Sequence, residues 1–317
     1  MTDGLTPTKL GPFRLAPWFS ERPWGRMDLR PWYAETGKHE PVGEAWLTGP
    51  QSVIETGALQ GQMLKSAVAE NGRAVVGTEG AEFPLLVKLL FPNDKLSVQV
   101  HPDDAHAQAM GEPRGKTECW YVLEAEPGAT IALGLKEGAT ADVVRKAIAD
   151  GTLEDWVEQV PVDVGDMVFV DAGTVHAIGP GVVLLETQQT SDITFRMYDY
   201  GRPRELHVEQ ALKVMRATTG SGKVAAREMD GFTRLIEQRY FTVDRYDVAA
   251  GDSASLDGGV PTCLVALHGS AQVEWAGGDA VELRAGQAVV VPVSVGQVVV
   301  RSDGGVSFTR CFAPTME

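Results

Sequence analysis

The chain has 317 residues, of which 44% are hydrophobic and 22% charged, so it can bury the cores of one large or two ordinary domains. Its formal charge of −15 argues against nucleic acid and against a membrane as the main partner. The three cysteines are scattered, which excludes a disulfide framework and favours a reducing compartment. Neither a signal peptide nor an apolar run of membrane-spanning length is present, so we expect a cytoplasmic protein.

The N-terminal part of the chain shows little helical periodicity. Its first 57 residues are rich in tryptophan, proline and glycine, which predicts irregular segments and strands that wrap a core. Residues 60–71 fit a short helix that ends at the Asn-Gly pair 71–72. From Phe83 onward, short apolar runs between glycine-rich turns predict strands.

Two further helices interrupt these predicted strands. Residues 140–158 have a helical pattern that begins at a Thr140 cap. Strands resume over residues 160–200, and residues 207–217 again fit a helix. The sequence therefore predicts a mainly β protein with a few short helices.

The domain boundary is predicted from composition. Residues 218–230 are small, polar and rich in glycine, which is typical of a linker, and we place the boundary near residue 225. Residues 1–225 would then form the first domain, and residues 226–317 the second.

A weak internal repeat relates the two predicted domains. The segment Gly165–His176 has a counterpart in Gly286–Gln297, in which a glycine leads a valine-rich strand. Counted from the leading glycine, Gln297 takes the position of His176. Two related barrels, the second of them without its histidine and without a metal site, are the economical explanation.

A strictly alternating segment carries the first candidate metal ligands. In a strand over residues 96–101, Ser97, Gln99 and His101 point to one face and apolar residues to the other. A polar row inside a barrel requires a metal ion or a polar ligand, since buried polar groups are costly unless satisfied. The alternative is an edge strand whose polar face lies in water.

Two other segments add ligand types. Lys116 and Glu118 share one face of a second predicted strand, a pattern that is equally typical of a solvated strand. His176 follows a glycine turn between apolar strands, where it can point into a barrel mouth. The combined set is two imidazoles, one carboxylate and one amide oxygen, from His101, His176, Glu118 and Gln99. This set suits zinc with one open position, and iron or manganese would also accept it.

Five motifs extend this pattern along the chain. They are residues 83–90 (FPLLVKLL), 96–103 (LSVQVHPD), 115–121 (GKTECWY), 173–179 (GTVHAIG) and 186–196 (ETQQTSDITFR). Their order and spacing resemble those of the type I mannose-6-phosphate isomerases, most closely the short bacterial branch. The resemblance covers about residues 15–215, and the segments 21–25 and 43–46 also fit.

The resemblance implies a fold and a site. The fold would be mainly β, with two cupin-type (jelly-roll) β-barrels, and the helical domain of longer members would be reduced to about residues 138–160. One zinc ion would be held by Gln99, His101, Glu118 and His176. The sugar-phosphate site would be lined by Lys88, Ser97, Lys116, Glu186, Asp192 and Arg196. The chain departs from the family at Asp171, where a proline is usual, and at Ile178, where longer members have an aromatic residue; neither change removes a ligand.

The implied reaction interconverts mannose 6-phosphate and fructose 6-phosphate by proton transfer through a cis-enediol. It needs a Lewis acid, a base near C1 and C2, and a cationic anchor for the phosphate. Asp192 and Arg196 would share a face if residues 191–200 form a strand, so that Asp192 could orient Arg196. Lys88, Lys116 and Arg202 would supply local positive charge, and Glu186 or Lys116 would move the proton.

Two other classes of function stay open at this point. The chain could be a non-catalytic sugar-phosphate-binding cupin, or an iron-dependent cupin oxygenase, which commonly uses two histidines and one carboxylate. A glutamine ligand and the lysine and arginine residues nearby argue against the oxygenase. Oligomeric state cannot be read from the sequence.

Overall fold

The structure is a computed structural model that describes residues 10–80 and 82–314. The first nine residues, on which the expectation of no signal peptide rests, lie outside this part of the chain. The α-helices are α1 (Leu64–Val75), α2 (Asp104–Ala109), α3 (Ala141–Asp150) and α4 (Val208–Val214). Short 3-10 turns occur at Leu153–Trp156 and Val293–Val295. Within the described ranges, every helix is too short or too polar to cross a membrane.

Strands make up most of the regular structure. In chain order they are β1 (Phe13–Leu15), β2 (Trp18–Arg26), β3 (Val42–Trp46), β4 (Leu85–Leu90), β5 (Val98–Val100), β6 (Glu118–Ala125), β7 (Thr130–Leu135), β8 (Val157–Pro161), β9 (Met167–Val170), β10 (His176–Ile178), β11 (Val182–Gln189), β12 (Phe195–Tyr198), β13 (Gly222–Val224), β14 (Arg227–Glu228), β15 (Thr233–Glu237), β16 (Thr242–Val248), β17 (Ser253–Leu256), β18 (Thr262–Trp275), β19 (Val281–Arg284), β20 (Ala288–Val291), β21 (Val298–Arg301) and β22 (Val306–Phe312).

The chain divides into two compact units. One comprises residues 19–45 and 88–225, and we call it the His101 unit; the other comprises residues 10–18, 46–87 and 226–314, apart from residue 81, and we call it the C-terminal unit. The chain passes from the His101 unit to the C-terminal unit at residues 225–226, within the segment 218–230 that has the composition of a linker. Residues 10–18 and 46–87, however, group with the C-terminal residues, because β1 pairs with β20 in the same sheet.

The His101 unit contains two sheets. Their strand orders are β13-β9-β6-β11-β4-β3-β2 and β12-β5-β10-β7-β8. Apolar side chains from both sheets, including Trp120, Val168, Ile131 and Ile178, form one buried cluster. Helices α3 and α4 cover the other face of the shorter sheet, where their own apolar residues join those of β5 and β12 in a second cluster.

In the C-terminal unit, the long strand β18 belongs to two sets of pairings. Its first half pairs with β20 and β22, and its second half with β19 and β21. The main path, β1-β20-β18-β22-β16-β15-β14, matches the seven-stranded path of the His101 unit strand for strand. Both units are therefore cupin-like, as predicted, although their strands form open sheets rather than closed barrels.

The strand boundaries also support the internal repeat. β9 and β20 each begin two residues after the leading glycine, at Met167 and Ala288, and each spans four residues. His176 is the first residue of β10, and Gln297 directly precedes β21. The sequence repeat therefore reflects a repeat of strands.

The predicted helices exist, but their bounds differ. α1 begins four residues later than expected, because Gly61 adopts a φ of 87° and Met63 forms a bridge with Val53. It is kinked at Asn71, the predicted end, where φ is −125° and ψ is 27°, and it resumes beyond that residue, whose side chain donates to the Ala67 carbonyl. α3 begins at the expected Thr140 cap but ends at Asp150, since the following glycine takes a left-handed conformation with a φ of 72°. Helix α2 was not predicted.

Candidate active site

Strand pairing in the shorter sheet of the His101 unit brings two of the candidate ligands together. His176, at the start of β10, pairs with Gln99 of β5. His101 follows β5 directly and lies on the same side as Gln99, since alternate residues of a strand share a face. The alternating apolar residues of this strand, Val98 and Val100, face the helices instead. The predicted alternation is thus explained by a sheet covered on both faces.

The third candidate ligand comes from the other sheet. Glu118 is the first residue of β6, and its carboxylate lies 3.7 Å from His101 Nε2 and 3.5 Å from His176 Nε2. All three side chains are about 1% exposed. Their ligand atoms lie within 4.8 Å of one another, a spacing that can hold a metal ion.

Backbone contacts fix the orientation of both imidazoles. His101 Nδ1 lies 2.8 Å from the Ile193 carbonyl, and His176 Nδ1 lies 2.9 Å from the Thr174 carbonyl. Because a carbonyl only accepts, each Nδ1 carries the proton and each Nε2 presents a lone pair toward Glu118. This is the arrangement by which neutral histidines bind metal ions.

The charge state of these imidazoles agrees with that orientation. Burial lowers the pKa of His176 to about 4, and it lowers the pKa of His101 well below its ordinary value. In both cases nearby Lys116 disfavours a further positive charge. Within the described residues, His101 Nε2 and Glu118 Oε2 are buried without a hydrogen bond, although Lys116 Nζ lies 3.0 Å from that oxygen. Two imidazole lone pairs and a carboxylate that converge in this way fit a bound cation.

The fourth predicted ligand lies at the edge of this group. Gln99 Nε2 is 3.2 Å from His176 Nε2, and Gln99 Oε1 accepts a hydrogen bond from Ser97 Oγ at 3.3 Å. A half-turn of the amide would exchange its oxygen and nitrogen and direct Oε1 toward the group. Gln99 is thus close enough to complete the ligand set.

A cavity of about 470 Å³ opens beside these ligands. Trp24, Leu90, Leu96 and Ile178 form its apolar walls. Among the described residues, its charged lining consists of Arg22, Lys88, Lys116, Arg196 and Arg204 together with Glu21, Glu44, Glu186 and Asp192. Cations outnumber acids there by one, although the whole chain carries −15. The cavity therefore carries a small positive charge in an otherwise acidic chain, which favours an anion over a cation there.

A charged row crosses three neighbouring strands at the cavity wall. Lys88 on β4 lies 3.8 Å from Glu44 on β3 and 3.4 Å from Glu186 on β11. Trp120 Nε1 donates to Glu186 Oε1 at 3.3 Å. Burial raises the pKa of Glu186, and the charge of Lys116 opposes that rise. The row places a buried carboxylate next to the cavity.

Known proteins are similar in sequence to most of this chain. A family model described as phosphomannose isomerase type I, catalytic domain, matches residues 13–141. A mannose-6-phosphate isomerase from Streptococcus mutans is 35% identical over 286 residues, which cover 86% of this chain and 89% of the relative. The mannose-6-phosphate isomerase ManA from Bacillus subtilis is 36% identical over 272 residues, covering 81% and 85%.

This chain belongs to the type I phosphomannose isomerase family. The crystal structure of a Bacillus subtilis mannose 6-phosphate isomerase superimposes with a TM-score of 0.85 and 29% identity, over 95% of this chain and 99% of that one. The predicted family and the mainly β, cupin-like fold are confirmed by these similarities.

Most of the side chains that the sequence assigned to the site of this type I isomerase lie together. Lys88, Ser97, Gln99, Lys116, Glu186, Asp192 and Arg196 all line the cavity. Asp192, however, lies before β12 rather than within a strand, and its carboxylate is 3.4 Å from Lys88. Arg196 Nη1 instead donates to the Glu205 carbonyl at 2.8 Å. The expectation that Asp192 orients Arg196 is therefore not met by the structure.

Arg202 is the predicted site residue that the structure places elsewhere. It pairs with Asp94 at 2.7 Å and with Asp199 at 3.1 Å, and it is not among the lining residues of the cavity. Arg204, two residues further along, does line the cavity while it also binds Asp199 at 2.6 Å. A local sequence pattern could not predict which of these two arginines lines the cavity, because both closely follow the same aspartate and both bind it.

Arg22, Glu44 and Trp120 are among the lining residues that were not assigned to the site from the sequence. Arg22 donates to Glu44 at 2.9 Å, and Glu44 in turn contacts Lys88. Arg22 and Glu44 lie in segments 21–25 and 43–46, which fit the family motifs, and Trp120 lies in a motif that already contained a ligand. Membership of these motifs was the signal that could have identified all three.

Proposed function

We propose that this protein interconverts mannose 6-phosphate and fructose 6-phosphate with one zinc ion per chain. The observation that carries this proposal is the convergence of two Nε2 lone pairs and the Glu118 carboxylate beside a cation-rich cavity. The relatives named mannose-6-phosphate isomerases supply the choice of substrate.

The proposed metal ligands are His101, His176, Glu118 and Gln99. A set of nitrogen and oxygen donors without thiolate suits zinc, and Gln99 as a weaker ligand leaves a position that substrate or water can take. When bound, a divalent ion here supplies Lewis-acid stabilisation of negative charge on the oxygens at C1 and C2.

The proposed proton carrier is Glu186. An aldose–ketose isomerisation moves a proton between C1 and C2, which requires a group with a free lone pair beside the substrate. Lys116 forms an ion pair with Glu118 at 3.0 Å, and its pKa is raised overall because Glu118 and Glu186 outweigh the effect of burial, so its ammonium has no lone pair to offer. Glu186 lines the cavity and remains an acceptor, and its raised pKa suits a group that must both take and return a proton.

The proposed partner of negative charge on the substrate is Arg196. Its Nε is buried and has no hydrogen-bond acceptor within the described ranges, while its Nη1 is anchored to the Glu205 carbonyl. A guanidinium held in this way presents a fixed donor, which stabilises a developing oxyanion or binds a phosphate without reorganisation. Arg204 and Arg22 extend the positive surface on which the phosphate would lie.

We propose further that the C-terminal unit is metal-free and that the protein works in the cytoplasm. The second repeat has Gln297 where the first has His176, so an equivalent ligand set is missing from the sequence of that unit. All three cysteines are buried and none is in a disulfide, which is consistent with a reducing compartment.

The deciding experiment is a coupled assay for fructose 6-phosphate formation from mannose 6-phosphate. We expect turnover by the protein as purified, loss of turnover after removal of metal by a chelator, and recovery on addition of zinc. Binding of mannose 6-phosphate without turnover, by metal-loaded protein, would instead establish a non-catalytic sugar-phosphate-binding cupin.

A further inference from the structure

A second charged row occupies the same place in the C-terminal unit as the Glu44–Lys88–Glu186 row does in the His101 unit. It is formed by Arg234 on β15, Asp244 on β16 and Arg310 on β22, which are direct partners across these strands. β16 lies between β15 and β22, just as β4 lies between β3 and β11. The two rows therefore cross equivalent strands.

Strand register identifies the individual counterparts. Glu186 pairs with Trp120, which pairs with Val168, the third residue after the leading glycine of the first repeat. Arg310 pairs with Leu264, which pairs with Val289, the third residue after the leading glycine of the second repeat.

By this register Arg310 is the counterpart of Glu186. Glu44, Lys88 and Glu186 form an acidic–basic–acidic row in the His101 unit. In the C-terminal unit the order of charges is reversed, and Arg234, Asp244 and Arg310 form a basic–acidic–basic row.

The second row also borders a cavity. Its volume is about 840 Å³, and its lining includes Arg234, Asp244 and Arg310, with Tyr246 and Phe232 as an aromatic wall. Ser253 and Ser255 place hydroxyl groups on the same cavity. Tyr246 stacks on Phe308 with ring centroids 5.0 Å apart and on Phe232 at 5.2 Å, which fixes this wall.

The two arginines of the row differ in how many of their donor groups form hydrogen bonds. Arg234 is held by Asp244 through bonds of 2.8 and 3.2 Å, and it also contacts Glu237. Arg310 donates from Nη2 to the Asp257 carbonyl at 2.7 Å and is also hydrogen-bonded to the Tyr246 side chain, but its Nε is buried and lacks a hydrogen-bond acceptor in the part of the chain that the structure describes. A buried donor of this kind requires an acceptor atom from a ligand or from water.

The charge of the lining decides what that ligand is. Among the described residues the cavity has two arginines and five aspartates (Asp230, Asp244, Asp247, Asp252 and Asp257), which gives a net charge of −3. This charge opposes a sugar phosphate, in contrast to the cavity beside His101. A cation would in turn be repelled by the guanidinium groups of Arg234 and Arg310. Hydroxyl groups both donate and accept, so they can satisfy fixed guanidinium donors and carboxylate acceptors together without bringing charge.

We propose that this cavity of the C-terminal unit binds a neutral, polyhydroxylated ligand of the monosaccharide class. Arg310 and the two serines donate to its oxygens, the aspartates accept from its hydroxyl groups, and the edges of the stacked Phe232 and Tyr246 rings border the apolar part of the sugar. This amphipathic combination of an aromatic wall with polar groups around it orients a small ligand.

The test is saturation-transfer difference NMR of the full chain with D-mannose and D-glucose as probes. We expect transfer from the wild-type protein to at least one of these sugars, and a Kd raised roughly 10-fold or more in Arg310→Gln, the scale of one charge-assisted hydrogen bond. Ser255→Val, which removes only a hydroxyl group from the lining, should weaken binding as well. Thermal unfolding of each variant establishes that it is folded.

Three controls separate the two cavities and the ligand class. Arg284→Gln changes an exposed arginine of the same unit that pairs with Glu282, away from the cavity lining, and it should bind as the wild type does. His101→Ala should also retain sugar binding, since His101 belongs to the other unit. No transfer to either sugar, a signal that survives Arg310→Gln but is lost in His101→Ala, or stronger Arg310-dependent binding of the anionic probe D-gluconate would overturn the proposal.

Discussion

Lys88 Nζ lies 3.4 Å from Glu186 Oε2, and both side chains are almost fully buried. The same ammonium lies 3.8 Å from Glu44 and 3.4 Å from Asp192. Burial alone would lower the pKa of Lys88, but these carboxylates, Glu186 foremost, outweigh it and hold the pKa above its ordinary value. Lys88 is thus a charged group on which the integrity of the cavity wall depends.

Replacement of this lysine should destabilise the fold. Lys88→Met leaves Glu186 and Glu44 buried without their shared cation, and we expect the free energy of unfolding to fall by about 3–5 kcal/mol, as for other broken buried ion pairs. Urea unfolding followed by circular dichroism measures this loss. The matched change Lys65→Met, at an exposed position of α1, should stay within about 0.5 kcal/mol of the wild type.

The double variant Lys88→Met/Glu186→Gln tests the reason for that loss. Removal of the charge on Glu186 should recover part of the stability, because a neutral amide is less costly to bury than an unpaired carboxylate. Strictly additive effects of the two substitutions would show that the two side chains do not interact energetically.

Metal content should depend on one histidine of the His101 unit. We expect elemental analysis to find one tightly bound metal ion per intact chain, and His101→Ala to reduce that number toward zero because one of three buried donors is lost. His268→Ala changes an exposed histidine of β18 and should leave the value at one. Two ions per chain, or a loss caused by His268→Ala, would place a metal site in the C-terminal unit.

Arg196 should matter for catalysis more than for folding. Arg196→Ala removes a preorganised donor from the cavity, and we expect kcat/KM to fall by roughly 10²-fold or more. Arg196→Lys should restore only part of this activity, because the planar fork is lost. Arg145→Ala, which breaks an exposed ion pair with Glu209 on the helices, serves as the control and should leave kcat/KM unchanged. Normal activity in folded Arg196→Ala would assign Arg196 a structural role.

Substitutions of the two arginines that bind Asp199 should have different effects in a steady-state assay. Arg204 lines the cavity and Arg202 does not, although each binds the same buried carboxylate. Arg204→Ala should therefore raise KM for mannose 6-phosphate, while Arg202→Ala should reduce stability with little change in KM. Equal increases in KM would mean that both act only by holding Asp199.

Local patterns in the sequence determined much of this protein. Alternation over residues 96–101 placed Gln99 and His101 on one face, and Thr140 fixed the start of α3, because side-chain direction and helix capping depend on neighbours within a few residues. The internal repeat predicted a second unit whose strand bounds agree with the first. The ordered motifs identified the family and seven of the side chains that line the cavity.

Only the tertiary structure decided which distant residues meet. The pairing of β1 with β20, the grouping of residues 46–87 with the C-terminal unit, and the rows Glu44–Lys88–Glu186 and Arg234–Asp244–Arg310 all depend on which strands become neighbours. Apart from the hairpin of β15 and β16, these neighbouring strands are separated by tens of residues, and no local propensity specifies their order or register. For the same reason the sequence did not show that Arg204 rather than Arg202 reaches the cavity. In an irregular segment, two residues so close in sequence can direct their guanidinium groups to different places. Packing around Asp199 fixes those directions.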